Sequence, residues 1–214
     1  MLNALYGKNR AITDETPGLT RDVLEVEIRH KGHRFLLSDL PGLDIDDPSD
    51  LEGLALQKAK KHLEEMDLII LLLGGNQVWP VTYERLMGDL VDRLREALPG
   101  ASVLITSPVD QVESILAWQS VPSLAQAARQ NRKVAEEKGT AFWDFRGAMG
   151  GDASMARFIV TGMGRADGIH LSPKGAAYMG RRMLYALWRD LDAYLASHPE
   201  AGCELRHDGA SASR

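Results

Sequence analysis

The sequence contains a single cysteine, Cys203, among its 214 residues, and it has no excess of positive charge. One thiol can form neither an internal disulfide nor a thiolate metal cluster, so both kinds of site are excluded. The net charge of -5 argues against a surface that coats nucleic acid. We therefore expect no nucleic-acid partner and no metal centre.

Long apolar runs are missing as well. The longest, Leu68 to Leu73, has the length of a strand and is too short to span a bilayer. The first residues, MLNALYGKNR, show no charged leader followed by an apolar segment, which is the pattern of a secretory signal. We therefore predict a cytoplasmic protein without a membrane partner.

Strand and helix patterns alternate along the chain, and this alternation predicts an α/β architecture. Residues 23–30 alternate apolar and polar side chains, Lys31-Gly32 is typical of a turn, and residues 34–38 pair back as a hairpin. The other predicted strands cover 67–73, 101–106 and 141–144, and the predicted helices cover 51–65, 82–98, about 121–138 and about 173–197.

The apolar run at 67–73 is typical of a fully buried parallel strand. We predict a single fused domain over residues 1–200, built as a three-layer αβα sandwich. Its sheet is expected to be mostly parallel, with the N-terminal hairpin as an antiparallel edge. The small, polar residues 201–214 are predicted to form a disordered tail.

An Asp-Gly-Ile-His quartet, Asp167 to His170, stands just before the last predicted helix. A carboxylate three residues before a histidine can orient the imidazole and make it a general base. A second polar block, Gly74-Gly75-Asn76, directly follows the strand at 67–73. Glycines let the backbone approach a ligand closely, and the Asn76 amide can donate to a developing oxyanion.

These blocks occur in order with the segments PGASVLITSPVD and AFWDFRGAMGG, and from about residue 67 to 203 the chain resembles an SGNH (GDSL-type) hydrolase. The resemblance implies a flavodoxin-like fold and hydrolysis of small or carbohydrate-linked acyl esters without a cofactor. It implies that His170 is the general base, that Asp167 orients it, and that Asn76 and Gly74 form the oxyanion block. The family's nucleophile is a serine in a Gly-Asp-Ser block, which this sequence lacks, so the resemblance implies impaired catalysis.

Residues 1–72 differ from that pattern. The segment GKNRAITDETPGLTRD, a hairpin and the motif Asp39-Leu40-Pro41-Gly42 resemble bacterial GTPases of the Der, Era and TrmE group. The resemblance implies that Thr20 binds magnesium and senses the γ-phosphate of GTP, that Asp39 contacts magnesium through water, and that Gly42 meets the γ-phosphate. The GxxxxGK[ST] phosphate loop would precede Leu2, and neither it nor the guanine-reading Asn-Lys-x-Asp motif occurs in the sequence. The implied binding of GTP and Mg²⁺ is therefore weak.

The two resemblances meet near residues 67–74, where both families place a buried strand after a helix. We predict that residues 34–38 lie beside 67–73 in one fused sheet. That placement would bring Ser38 to a strand's carboxyl end, where it could substitute for the missing nucleophile.

Three functions stay open at this point. The first is hydrolysis of a small-molecule ester, and the second is GTP binding. The third is a catalytically silent fold, natural or engineered.

Overall fold

The structure is a computed structural model, and it describes residues 24–39, 63, 66–72, 82–114 and 118–199, with side chains in the first range described for 25–38. The helix predicted at 51–65 and the tail at 201–214 lie outside these ranges, apart from Leu63. The described strands are β1 (Leu24–His30), β2 (His33–Asp39), β3 (Leu68–Leu71), β4 (Ser102–Thr106), β5 (Val112–Ser114), β6 (Gln119–Ser120) and β7 (Ala141–Trp143). The described helices are α1 (Tyr83–Ala97), α2 (Pro122–Lys138), α3 (Phe145–Met149), α4 (Ser154–Val160) and α5 (Pro173–Ser197).

A parallel sheet with the strand order β3-β4-β7 lies at the centre of the α/β fold, and it confirms the predicted fold class. The middle strand β4 carries the most deeply buried side chains, including Ile105 at 0% exposure. The strand β3 is less buried than its apolar sequence predicts, since Leu68 is 39% exposed. Strand β3 pairs in parallel with β4, as predicted, but only its last residue, Leu71, is buried, so the prediction of a fully buried strand is wrong for the described residues.

Helices α1 and α2 cover the sheet through apolar faces at helical spacing. Met87 and Val91 of α1 and Val134 of α2 pack against Leu71 and Ile105 of the sheet. Helix α2 begins at Pro122 and ends at Lys138, and it is capped by Gly139, whose φ of 59° is the left-handed conformation that commonly closes a helix. Both ends of α2 agree with the sequence prediction.

A second apolar core lies beneath helices α3, α4 and α5. Its buried members include Phe145 of α3, Met155 and Phe158 of α4, and Met179 of α5. The sequence analysis did not predict α3, α4, β5 or β6, because these elements have two to seven residues and are too short to show a period. No helix in the described ranges is both long enough and apolar enough to cross a membrane.

The N-terminal hairpin forms as predicted, with His30 opposite His33 and Glu25 opposite Ser38. Lys31 and Gly32 both have positive φ, 47° and 88°, as a two-residue turn of type I′ requires.

The hairpin packs on helix α5 through aromatic rings. The ring of His30 stacks on that of Trp188 with centroids 4.5 Å apart, and Phe35 meets the same indole at 4.6 Å. The Asp192 carboxylate accepts from His30 Nε2 at 3.0 Å and pairs with Lys31 Nζ at 2.8 Å. These contacts join the GTPase-like N-terminal segment to helix α5 of the SGNH-like segment.

The predicted pairing of residues 34–38 with 67–73 is wrong. Strands β1 and β2 form a two-stranded sheet of their own, separate from the sheet that contains β3. The physical reason is that Phe35 and His30 bury their rings against Trp188 of α5, which holds the hairpin on a helix. The topological reason for considering Ser38 as a nucleophile is therefore gone.

Candidate active site

The loop between helices α4 and α5 folds back on itself and carries the Asp-Gly-Ile-His quartet. The Arg165 amide donates to the His170 carbonyl at 2.8 Å, and Gly164 bridges Leu171 in antiparallel fashion. Within the loop the Gly168 amide donates to the Arg165 carbonyl at 3.2 Å, which closes a tight turn. The quartet is thus held by backbone hydrogen bonds before any side chain is considered.

Asp167 binds both the backbone and the imidazole of the same turn. Its Oδ1 accepts from the Ile169 amide at 2.8 Å and from the His170 amide at 2.9 Å. Its Oδ2 lies 2.9 Å from His170 Nδ1. The predicted contact between the carboxylate and the imidazole is therefore present, while its catalytic role stays a prediction.

These hydrogen bonds fix the charge of the carboxylate. The His170 amide, then the Ile169 amide, and to a smaller extent the imidazole stabilise the ionised form and lower the pKa of Asp167 to about 2. An ionised carboxylate only accepts hydrogen bonds, so Nδ1 must carry the proton in the contact with Oδ2. In the neutral ring Nε2 then has a free lone pair, which is the state of a general base.

The imidazole is also accessible. The His170 side chain is 60% exposed, and within the described ranges no hydrogen bond occupies its Nε2. A substrate or a water molecule can therefore reach this nitrogen. The arrangement can accept a proton from an attacking oxygen and return it to a leaving group.

Strand β5 fixes the position of the turn. The Val112 amide donates to the Gly168 carbonyl at 3.0 Å. Gly168 has a φ of 74°, and a Cβ at this position would lie 2.6 Å from Val112 Cγ2. Both facts require glycine between Asp167 and His170.

The start of helix α5 fixes the other side of the loop. Ser172 Oγ accepts from the Gly175 amide at 3.2 Å and donates to the Gly162 carbonyl at 2.7 Å. Lys174 Nζ donates to the Thr161 carbonyl at 2.9 Å. His170 therefore lies in a loop that is held on one side by strand β5 and on the other by the start of helix α5. It precedes the N-cap residue, Ser172, by two positions.

The other predicted site residues are not joined to this pair by the described contacts. Gly74, Asn76, Thr20 and Gly42 lie outside the described residues, so their roles stay predictions. Asp39 ends β2, where its backbone lies opposite Leu24.

A buried polar network near the turn was not predicted. Asp110, at 0% exposure, pairs with Arg146 of α3, with Oδ1 and Nε 3.1 Å apart. Ser107, which follows β4, donates to Asp144 Oδ1 at 2.9 Å and accepts from the Arg146 amide. In the sequence Ser107 and Asp110 stand in one short segment and Asp144 and Arg146 in another, and no spacing marks the two segments as partners.

The comparisons with known proteins divide along the chain. Residues 1–106 match the family model described as a 50S ribosome-binding GTPase. GTPase Der from Leptospira borgpetersenii is 44% identical over 80 residues, which are 36% of this chain and 16% of Der. A solved structure titled "Peptidoglycan O-acetylesterase in action" covers 64% of this chain and 41% of its own, with a TM-score of 0.58 and 26% identity. A GDSL-like lipase from Parabacteroides merdae covers 66% of each chain at a TM-score of 0.49 and 19% identity.

The chain resembles two families, in two segments. Both resemblances inferred from the sequence, the GTPase-like and the SGNH-like, are confirmed. The GTPase match extends to residue 106, past the predicted limit of 72, so it includes β3, α1 and β4. The matched region spans 16% of the length of Der and 32% of the length of the tRNA modification GTPase MnmE from Parasynechococcus marenigrum.

Proposed function

We propose that the SGNH-like segment hydrolyses small acyl esters, with His170 as general base and Asp167 as the residue that orients it. The observation that carries the proposal is the 2.9 Å contact between Asp167 Oδ2 and His170 Nδ1, which leaves Nε2 exposed. The structural match to a peptidoglycan O-acetylesterase supports the choice of an ester.

The chemistry follows from the state of the imidazole. Since the sequence has no Gly-Asp-Ser block, the attacking group in this proposal is water. Nε2 takes a proton from the water as its oxygen bonds to the acyl carbon. The bond to the alcohol oxygen then breaks, and that oxygen receives the proton, giving an acid and an alcohol. General-base catalysis of this kind contributes roughly 10²–10⁴-fold, so the proposed activity is slow. Asn76 and Gly74 remain the predicted oxyanion donors.

Replacing His170 by alanine tests the proposal directly. We expect His170→Ala to reduce the turnover of p-nitrophenyl acetate at least tenfold, because the general base is lost. The matched control is His198→Ala, which removes another exposed imidazole near the end of α5. Any accessible imidazole can react with this ester, so the control separates a placed base from a surface histidine. Equal effects of the two substitutions would contradict the proposal.

Asp167→Asn refines the same test. The side-chain oxygen of asparagine can still accept from the Ile169 and His170 amides, while its NH₂ group replaces Oδ2. That group donates, so it favours the ring with its proton on Nε2, which can no longer act as the base. We expect Asp167→Asn to reduce turnover nearly as much as His170→Ala.

The family-model match over residues 1–106 favours a second function, binding of GTP with Mg²⁺ by the GTPase-like segment. Thr20, Asp39 and Gly42 are the residues proposed to contact magnesium and the γ-phosphate.

A fluorescent GTP analogue tests this second function. We expect binding that depends on Mg²⁺. Asp39→Asn should weaken it at least tenfold, because Mg²⁺ and its bound water molecules interact more strongly with a carboxylate than with an amide. Glu27→Gln is the control, since Glu27 is an exposed carboxylate on the same hairpin that pairs with Arg29. Binding that does not depend on Mg²⁺, or equal losses in both variants, would remove this candidate.

A further inference from the structure

We propose that Asp110 is a positioning residue for the Asp167–His170 couple, an inference that rests on the proposed ester hydrolysis. Asp110 touches neither member of the couple. It acts through the backbone of residues 110–112, which forms the surface on which the Asp-Gly-Ile-His turn lies.

Asp110 gathers donors from three elements. Its Oδ2 accepts from Ser120 Oγ at 3.0 Å, from Ser154 Oγ at 3.2 Å and from the Met155 amide at 3.1 Å. Its Oδ1 accepts from Arg146 Nε at 3.1 Å. The residue is fully buried at 0% exposure, so water cannot replace any of these partners. The Asp110 carboxylate thus connects three elements: strand β6, helix α3, and the first residues of helix α4.

Asp110 lies two residues before the contact with the turn. The Val112 amide donates to the Gly168 carbonyl at 3.0 Å, and the Val121 amide donates to the Gln111 carbonyl at 3.0 Å. The side chain of Val112 fills the space where a Cβ of residue 168 would lie, at 2.6 Å. The backbone from 110 to 112 therefore has little freedom, and the Asp167–His170 turn packs directly on it.

The negative charge of Asp110 is necessary for this arrangement. Four donors point at its two oxygens, and an asparagine would offer one oxygen and one NH₂ group to the same donors. Removing one member of a buried ion pair also leaves the other charge without compensation. Arg146 has a second carboxylate partner, Asp152, whose side chain is 86% exposed. Asp152→Asn is therefore the matched control, because it changes the exposed partner of the same arginine.

The experiment measures the His170 tautomer by NMR of ¹⁵N-labelled histidine, together with the kcat and KM for p-nitrophenyl acetate. In the parent chain we expect the proton on Nδ1. In Asp110→Asn we expect a mixture of tautomers and a fall of about tenfold to a hundredfold in kcat, with KM nearly unchanged, because misplacement of the base reduces the rate. Asp152→Asn should retain the parent tautomer and the parent kcat. A residue that only stabilises the fold would leave the tautomer unchanged in the folded variant.

Ser120→Ala keeps the proposal testable where Asp110→Asn fails to fold. It removes one of the four donors and should produce a smaller shift toward the other tautomer. An unchanged tautomer in whichever of the two variants is folded overturns the proposal, as does an equal change in Asp152→Asn. Absence of ester hydrolysis in the parent chain would end the proposed function alone, because the tautomer measurement needs no substrate.

Discussion

Replacing Gly175 by alanine is expected to destabilise the fold by about 3 kcal/mol or more, a large effect for a single added methyl group. An ideal Cβ at this position would lie 1.9 Å from the Met163 carbonyl oxygen and 2.8 Å from its carbon. That carbonyl already accepts from the Ser172 amide at 2.9 Å, so it cannot move away without breaking the helix entry. The start of α5 or the loop that precedes it must therefore shift.

Whether Gly175→Ala raises or lowers the stability shows whether helix propensity or the steric clash dominates at this position. Helix propensity alone predicts that alanine in place of glycine stabilises a helix by up to about 1 kcal/mol. Gly88→Ala in α1 is the matched control, because its Cβ would meet only the flexible end of Lys138, at 3.0 Å. We expect Gly88→Ala to be neutral or stabilising and Gly175→Ala to be strongly destabilising. Urea unfolding measures the free energy of unfolding of both variants. A Gly175→Ala variant as stable as the parent would contradict the predicted clash with the Met163 carbonyl.

Asn131→Ala is expected to cost about 2–4 kcal/mol, because it breaks a fully buried relay of hydrogen bonds. Asn131 Oδ1 accepts from the Tyr83 hydroxyl at 2.6 Å, and its Nδ2 donates to the Thr106 carbonyl at 2.9 Å. Thr106 Oγ1 in turn donates to the Leu71 carbonyl at 3.1 Å. The relay joins α1 and α2 to the carboxyl ends of β4 and β3. Burial raises the pKa of the Tyr83 hydroxyl, so it remains a donor at every ordinary pH.

Thermal unfolding measures the loss, and Gln126→Ala provides the control. Gln126 is an exposed amide on the same helix, so its replacement should change the stability by no more than about 0.5 kcal/mol. Combining Tyr83→Phe with Asn131→Ala should cost less than the sum of the two single changes, because both remove the same hydrogen bond. Additive costs would contradict the relay.

Local sequence signals predicted much of the fold. Lys31-Gly32 gave the hairpin turn, Gly139 gave the end of α2, and Pro173 gave the start of α5, each within a residue or two of the observed element. These signals succeed because they express backbone preferences of single residues. The short elements α3, α4, β5 and β6 were missed, since their residues are ordered by contacts with distant parts of the chain.

The candidate site was predicted only in part, for the same reason. Asp167 and His170 are three residues apart, so a pattern within four residues was enough to predict their contact. Asp110, which we propose positions this pair, lies about 57 residues before Asp167, and no sequence pattern relates the two. The predicted place for Ser38 failed because it depended on strand order, which a local pattern does not determine.

The sequence by itself therefore determined the two resemblances, the α/β alternation and the acid–imidazole pair, all of which depend on residues close together in the chain. The tertiary structure decided that the hairpin packs on α5, that β3 is only partly buried among the described residues, and that the buried carboxylate of Asp110 accepts hydrogen bonds from three separate elements. The physical reason is the range of the interactions. Turns and caps arise from neighbouring residues, whereas strand order and buried ion pairs depend on which distant surfaces exclude water together.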